Sequence, residues 1–169
     1  MKSLILLLVL VAFGTTKFLG QLRADVICES QEAYNAEELL AIRKCTIIEG
    51  RLFVAVVEDV EDWSNYSLTN LTQVTEYVTI FRNANLQSLS MILPNLMVIR
   101  GEQLMKKYAL IIHGNMHLLE VGLENLAVIS RGAVLIDKNW QLCRSPEFQK
   151  ARFSALQAQS YTQDNSVGM

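Results

Sequence analysis

His113 and His117 stand four residues apart, a spacing that on a helix would put both imidazoles on one face, as metal ligands require. Their surroundings point away from a helix. The run Ala109-Leu110-Ile111-Ile112 reads as a strand and Gly114-Asn115 as its exit, so the two rings diverge and no further ligands complete a metal set. Glu58, Asp59, Glu61 and Asp62 form an acidic cluster, but paired catalytic carboxylates need a pocket that drives their pKa values apart, and this segment reads as a solvated loop. There is no phosphate-cradling Gly-rich loop, no Gly-x-Ser-x-Gly elbow and no Cys/His pair at finger-like spacing. Neither catalysis nor a cofactor or metal is expected. Three cysteines, Cys28, Cys45 and Cys143, leave one over in an oxidising compartment. Asn65-Tyr66-Ser67 and Asn70-Leu71-Thr72 are N-glycosylation sequons, and a glycan requires their segment to face solvent.

The compartment is read from the start of the chain. Met1-Lys2-Ser3 leads into an unbroken apolar run from Leu4 to Phe13, too short for the roughly 20 residues of a spanning helix and of the form of a secretory signal. Cleavage is expected after Gly14 or Ala24, giving a signal segment over 1–24 and an extracellular mature chain without a membrane span. At 51% apolar and 19% charged residues the remainder can bury a core. Its net charge of -2 and lack of any basic run argue against a nucleic-acid partner.

The elements that must hold these residues repeat. Val78-Thr79-Ile80-Phe81, Ala109-Leu110-Ile111-Ile112 and Ala133-Val134-Leu135-Ile136 are apolar β-prone runs, each followed by a polar step and then Asn-x-x-Leu, at Asn83, Asn115 and Asn139. A shorter motif precedes them, as in Leu96-Met97-Val98-Ile99-Arg100-Gly101 and Leu126-Ala127-Val128-Ile129-Ser130-Arg131-Gly132, and Thr46-Ile47-Ile48-Glu49-Gly50 plays the same part before Leu52 to Val57. Intervals in the twenties to low thirties mark a solenoid, here mainly β and leucine-rich-like, with two short parallel strands per coil. Gly50, Gly101 and Gly132 fall at bends, and each strand-exit Asn is placed to cap backbone groups coil after coil. Before the first coil, Asn35 with Glu38 three residues on predicts a capped helix that closes the apolar end of the stack. Residues 144–169, rich in Gln, are expected to be a weakly structured tail.

Several of these segments, in the same order and at near-identical spacing, resemble the first L domain of the insulin receptor family. The resemblance covers 28–143 and lies in Cys45-Thr46-Ile47-Ile48-Glu49-Gly50, Tyr77-Val78-Thr79-Ile80-Phe81-Arg82, Leu93-Pro94-Asn95-Leu96, Tyr108-Ala109-Leu110-Ile111-Ile112 and Arg131-Gly132-Ala133-Val134-Leu135-Ile136-Asp137-Lys138-Asn139. It implies a right-handed parallel β-helix whose sheet faces a hormone. It also implies that Cys28 pairs with Cys45, while Cys143 is a free thiol, an intermolecular bridge that links two chains, or the opening half of a disulfide completed downstream. Carried over by position, the ligand-contact residues fall on Asn35, Phe53, Phe81, Arg82, Leu104, Met105, Tyr108 and Lys138, with Tyr34, Ala55, Val56, Lys106, Lys107 and His113 beside them. The resemblance thus implies a binder of an insulin-like peptide, either a secreted decoy or part of a truncated receptor, in which case any kinase would belong to the missing remainder. The alternative is a structural protein that pairs with a receptor ectodomain without touching hormone.

Overall fold

The computed structural model describes residues 24–142 and the strand Ser160–Gln163. The expected signal segment before Ala24, Cys143 and the rest of the expected tail lie outside these residues. The described chain is almost entirely β, and every strand pairing is parallel. One sheet holds five two-residue strands in chain order: β1 (Ile27–Cys28), β3 (Ile47–Ile48), β5 (Gln73–Val74), β7 (Val98–Ile99) and β9 (Val128–Ile129). The other holds β2 (Gln31–Ala33), β4 (Leu52–Ala55), β6 (Val78–Phe81), β8 (Tyr108–His113), β10 (Ala133–Asp137) and β11 (Ser160–Gln163), again in order. Successive strands alternate between the sheets up to β10, so each coil contributes one strand to each, as the paired motifs require. Within the stretch expected to be weakly structured, β11 joins the six-stranded sheet with Ser160 opposite Val134. Tyr and Thr favour strands, but four residues without the Asn-x-x-Leu exit show no repeat.

The core lies between the sheets and the outer loops. Leu52 and Val54, Val78 and Ile80, Leu110 and Ile112, and Val134 and Ile136 supply it from the longer strands, while Ile48, Val74 and Ile99 supply it from the shorter ones. The leucine of each Asn-x-x-Leu motif, Leu86, Leu118 and Leu142, is fully buried. Trp63, in the 3₁₀ turn Trp63–Tyr66, fills the space beneath the first long loop and donates its indole N–H to the Ala84 carbonyl at 2.8 Å. Parallel strands buried in this way read as continuous apolar runs, which is why the sequence announces them.

Two asparagine ladders hold the corners. In the buried one, the Val57 N–H donates to Asn83 Oδ1 (3.2 Å), the Asn83 N–H to Asn115 Oδ1 (3.0 Å) and the Asn115 N–H to Asn139 Oδ1 (2.9 Å). Their amide nitrogens donate back to the carbonyls of Val54, Ile80 and Ile112. Each buried corner group therefore has a partner, as a fold that sequesters its backbone requires. The second ladder lies nearer the surface, where Asn70, Asn95 and Asn125 donate to the carbonyls of Arg43, Thr69 and Pro94 at 2.7–2.8 Å. The bend glycines Gly50, Gly101 and Gly132 all have positive φ, as expected.

Among the described residues there is one α-helix, α1 (Ala36–Ile42), between β2 and β3. The Asn35 side chain accepts from the Glu38 N–H at 2.9 Å, and Glu38 reaches back to the Tyr34 N–H at 2.6 Å, so the start follows the expected capping pair. Leu39 and Ile42 are buried on its inner side. Cys28 in β1 is bonded to Cys45 after the helix, with Cα atoms 5.8 Å apart, which bears out the expected pairing.

Candidate functional site

The outer face of the six-stranded sheet holds Phe53, Ala55, Phe81 and His113 of the residues singled out from the sequence, and others border it. Side chains alternate across a strand, and the parallel register aligns the outward ones in rows. One row is Glu32, Phe53, Thr79, Ile111 and Leu135. The next, two residues further along, is Ala55, Phe81, His113 and Asp137. Phe53, Phe81 and His113 are half-buried, whereas Ala55, Thr79 and Ile111 are covered between their larger neighbours. Thr79 Oγ1, buried in the middle of this face, has no hydrogen-bond partner among the described residues.

The rings on this face touch in two pairs. Phe81 and His113 stack with centroids 5.3 Å apart and planes 11° from parallel, and the Arg82 guanidinium lies over the Phe81 ring at 5.0 Å from its centroid. Tyr34 and Phe53 meet at 6.0 Å in a tilted arrangement. His113 Nδ1 is 3.1 Å from Asp137 Oδ2. Burial holds the His113 pKa below the ordinary imidazole value, against the pull of Asp137, and Lys138 and Arg82 push the same way as burial. At the first strand, Arg51 donates to Glu32 Oε1 at 2.6 Å and the Tyr34 hydroxyl donates to Glu32 Oε2 at 2.9 Å. The bond from Arg51 lowers the Glu32 pKa, with that from Tyr34 adding to it, and the same carboxylate raises the tyrosine's.

The remaining candidates border the face. Val56, Arg82 and Lys138, with Gly114 between the last two in register, form the exit edge, and all four have positive φ. At the entry edge, Met105 and Tyr108 exchange backbone hydrogen bonds at 3.0 Å around Lys106 and Lys107, Leu104 packs against the core, and the Lys107 ammonium lies 5.4 Å from the Tyr108 ring centroid. Asn35 sits beside the first strand, but its side-chain oxygen is already engaged by the helix cap.

Phe53, Phe81 and Tyr108, which the resemblance carries over as ligand contacts, stand on adjacent strands of this face but do not line up in one stripe. Phe53 faces Thr79, Phe81 lies one row beyond, and Tyr108 pairs with Ala133 at the strand entry, below an irregularity that sends Ala109 and Leu110 both into the core. The three aromatics are thus at three levels of the face. Sequence reasoning missed Glu32, Thr79, Ile111, Leu135 and Asp137. A signal for four of them was available: positions two and four before each exit Asn are the outward ones.

Other candidates go elsewhere. His117 accepts from the Asn85 N–H at 3.2 Å on a loop, so the two histidines have separate partners. Asp59 accepts from the Ala36 N–H, and Asp62 caps the turn at Ser64 with its pKa lowered by that side-chain hydrogen bond, which gives the acidic cluster structural work in an exposed loop. Asn65 is exposed in that turn and Asn70 is half-buried on the surface ladder. No helix among the described residues is long and apolar enough to cross a membrane.

Comparison with known proteins agrees with this architecture. The chain is 42% identical over 117 residues to the insulin-like receptor of Drosophila melanogaster, covering 69% of this chain and 5% of that protein. It is 43% identical over 133 residues to the insulin-like growth factor 1 receptor of Xenopus laevis (77% and 10%), and 37% identical over 122 residues to the insulin-like peptide receptor of Branchiostoma lanceolatum (70% and 9%). It therefore spans a tenth or less of the length of these curated relatives. The receptor L domain family matches residues 44–153, which include most of both sheets, and the chain belongs to this family of non-catalytic ligand-binding modules.

Proposed function

We propose that the outer face of the six-stranded sheet binds an insulin-like peptide, and that the chain works outside the cell, as a secreted decoy or as the ligand-binding end of a receptor. The observation that carries this reading is the pair of outward rows. They present Phe53, Phe81, Ile111 and Leu135 as an apolar middle, with Arg82 and Lys138 along the exit edge and Leu104, Met105 and Tyr108 along the entry edge. An apolar centre with a charged rim is how protein interfaces are built. The relatives named as insulin-like receptors support the class of ligand. A receptor ectodomain is the other partner in this reading. The coil is right-handed, α1 closes the apolar end of the first coil, a signal segment ending at residue 24 is removed, and Asn65 and Asn70 carry glycans that keep their surface in solvent. The disulfide between Cys28 and Cys45 supports the oxidising compartment.

Surface plasmon resonance of the purified secreted chain against insulin tests the reading. Phe81→Ala and Tyr108→Ala are each expected to weaken binding by about 2 kcal/mol, roughly thirtyfold, as interface aromatics do. Undiminished affinity in both variants, or no binding by the parent chain, overturns it.

A further inference from the structure

The outer face of the five-stranded sheet takes no part in the peptide-binding reading. Its strand pairing sets Ile27, Ile47, Gln73, Val98 and Val128 in one row, with Ile27 56% and Val128 44% exposed. One residue earlier in the coils, Thr46, Thr72, Met97 and Ala127 make a second row. The Thr72 N–H donates to the Thr46 carbonyl, that of Met97 to Thr72 and that of Ala127 to Met97, all at 2.9 Å. Met97 stands out from this row, 50% exposed. Apolar surface gathered in one place marks a contact site.

Beside these rows runs the surface ladder of Asn70, Asn95 and Asn125. All three are followed by Leu, but the residue after that differs, being Thr72, Met97 and Ala127 in turn. Of the three, Asn70 alone belongs to a sequon, so this ladder can carry a sugar at that one step. Asn70 stands in the wall of a hollow of about 440 Å³, which is also lined by Asp25, Thr46, Thr72, Asn95, Met97 and Asn125. That volume falls in the range of small-molecule sites, about 300–1,000 Å³. Asn70 Nδ2 donates one hydrogen to the Arg43 carbonyl at 2.8 Å. An amide nitrogen has two hydrogens. A sugar in place of the second leaves the ladder bond intact and begins inside the hollow.

We infer that the innermost N-acetylglucosamine of a glycan on Asn70 is seated in this hollow and covers the outer face of the five-stranded sheet. A pyranose ring has an apolar face of C–H groups and a rim of hydroxyls, and its N-acetyl group ends in a methyl. The adaptable thioether of Met97 suits the apolar parts, and the polar ends of Asp25, Thr46, Asn95 and Asn125 suit the hydroxyls. The covalent link holds the sugar at a high effective concentration over the hollow, so weak contacts suffice to seat it. Asn65, exposed in its 3₁₀ turn, is not among the residues that line the hollow, and a glycan there projects into solvent. The inference rests on the glycosylation of Asn70 proposed above and adds a role to it: one face is covered, and the six-stranded sheet is the face left open to a ligand.

Two measurements on the chain secreted from cultured animal cells test this. In the first, peptide N-glycosidase acts on the native glycoprotein, and peptide mass mapping follows release at both sequons. Release from Asn70 is expected to be about tenfold slower than from Asn65, a factor equivalent to about 1.4 kcal/mol, and the two rates are expected to converge after denaturation. Met97→Asp keeps the sequon and the ladder bond but removes the apolar contact, and is expected to erase the difference. A rate set by the ladder bond alone would not respond to that variant, which would refute the seat. In the second, the parent chain labelled with ¹³C-methyl methionine is expected to show a nuclear Overhauser contact between the Met97 methyl and the N-acetyl methyl of the innermost sugar, a readout that does not depend on any variant folding. If Asn70 carries a glycan that is released as fast as that of Asn65 and shows no such contact, the seat is refuted and the glycosylation stands. If the peptide map of the intact chain finds no glycan on Asn70, the glycosylation of that residue falls and the inference with it.

Discussion

His113 is the residue whose state depends most on its surroundings. Stacked on Phe81, bonded to Asp137 and flanked by Arg82 and Lys138, it is disfavoured as a cation chiefly because it is buried, and the single carboxylate does not reverse that. A depressed folded pKa means that the unfolded chain binds the proton more readily below about pH 6.5. The contribution to stability is therefore complete above that pH and is lost as pH falls toward the folded value. Urea unfolding at pH 7.5 and 5.5 is expected to show a stability loss on acidification that is smaller in His113→Phe, which keeps a ring against Phe81 and has no proton to gain. An equal loss in parent and variant would falsify this assignment.

Among elements, the two asparagine ladders make the same kind of bond at different depths. Asn115 is fully buried, and replacing it with alanine strands the Asn83 N–H and the Ile80 carbonyl where water does not reach. Each unsatisfied buried group costs about 1–3 kcal/mol, so Asn115→Ala is expected to destabilise the fold by about 3 kcal/mol. Asn125 makes one bond to the Pro94 carbonyl at the surface, where water replaces it, and Asn125→Ala is expected to cost less than about 1 kcal/mol. Equilibrium denaturation of the two variants side by side checks the contrast. The inner asparagines were legible in the sequence because they end apolar runs. The outer ones were not read as a ladder, Asn70 being marked only as a sequon, since Asn-Leu within a loop has no such neighbour to mark it.

For the whole molecule, stacking makes each coil depend on the next, and the ends are the weak points. At one end the bond between Cys28 and Cys45 ties β1 to the segment after α1 across 17 residues. Closing a loop of that size is worth about 3 kcal/mol in the chain-entropy model. The double variant Cys28→Ser/Cys45→Ser is expected to lose roughly that much stability. Its extra hydrogen exchange should be concentrated in β1, β2 and α1, with β8 protected as before. Uniform loss of protection across all strands would show that the coils unfold as one unit instead.

The sequence by itself determined the repeat, the parallel strands, the bend glycines, the capped helix and the buried asparagine ladder, because each depends on local conformation or on a periodic apolar pattern that burial imposes. It also reached the family and the disulfide through the residues that carry the resemblance. Only the tertiary structure decided which outward residues meet. Coils of unequal length set the cross-strand register, and the irregularity at Ala109 moved Tyr108 off the level of Phe53 and Phe81. That same register placed Gly114 between Arg82 and Lys138, residues more than twenty positions from it on either side in the chain. Their nearness comes from strand pairing, to which linear spacing is blind.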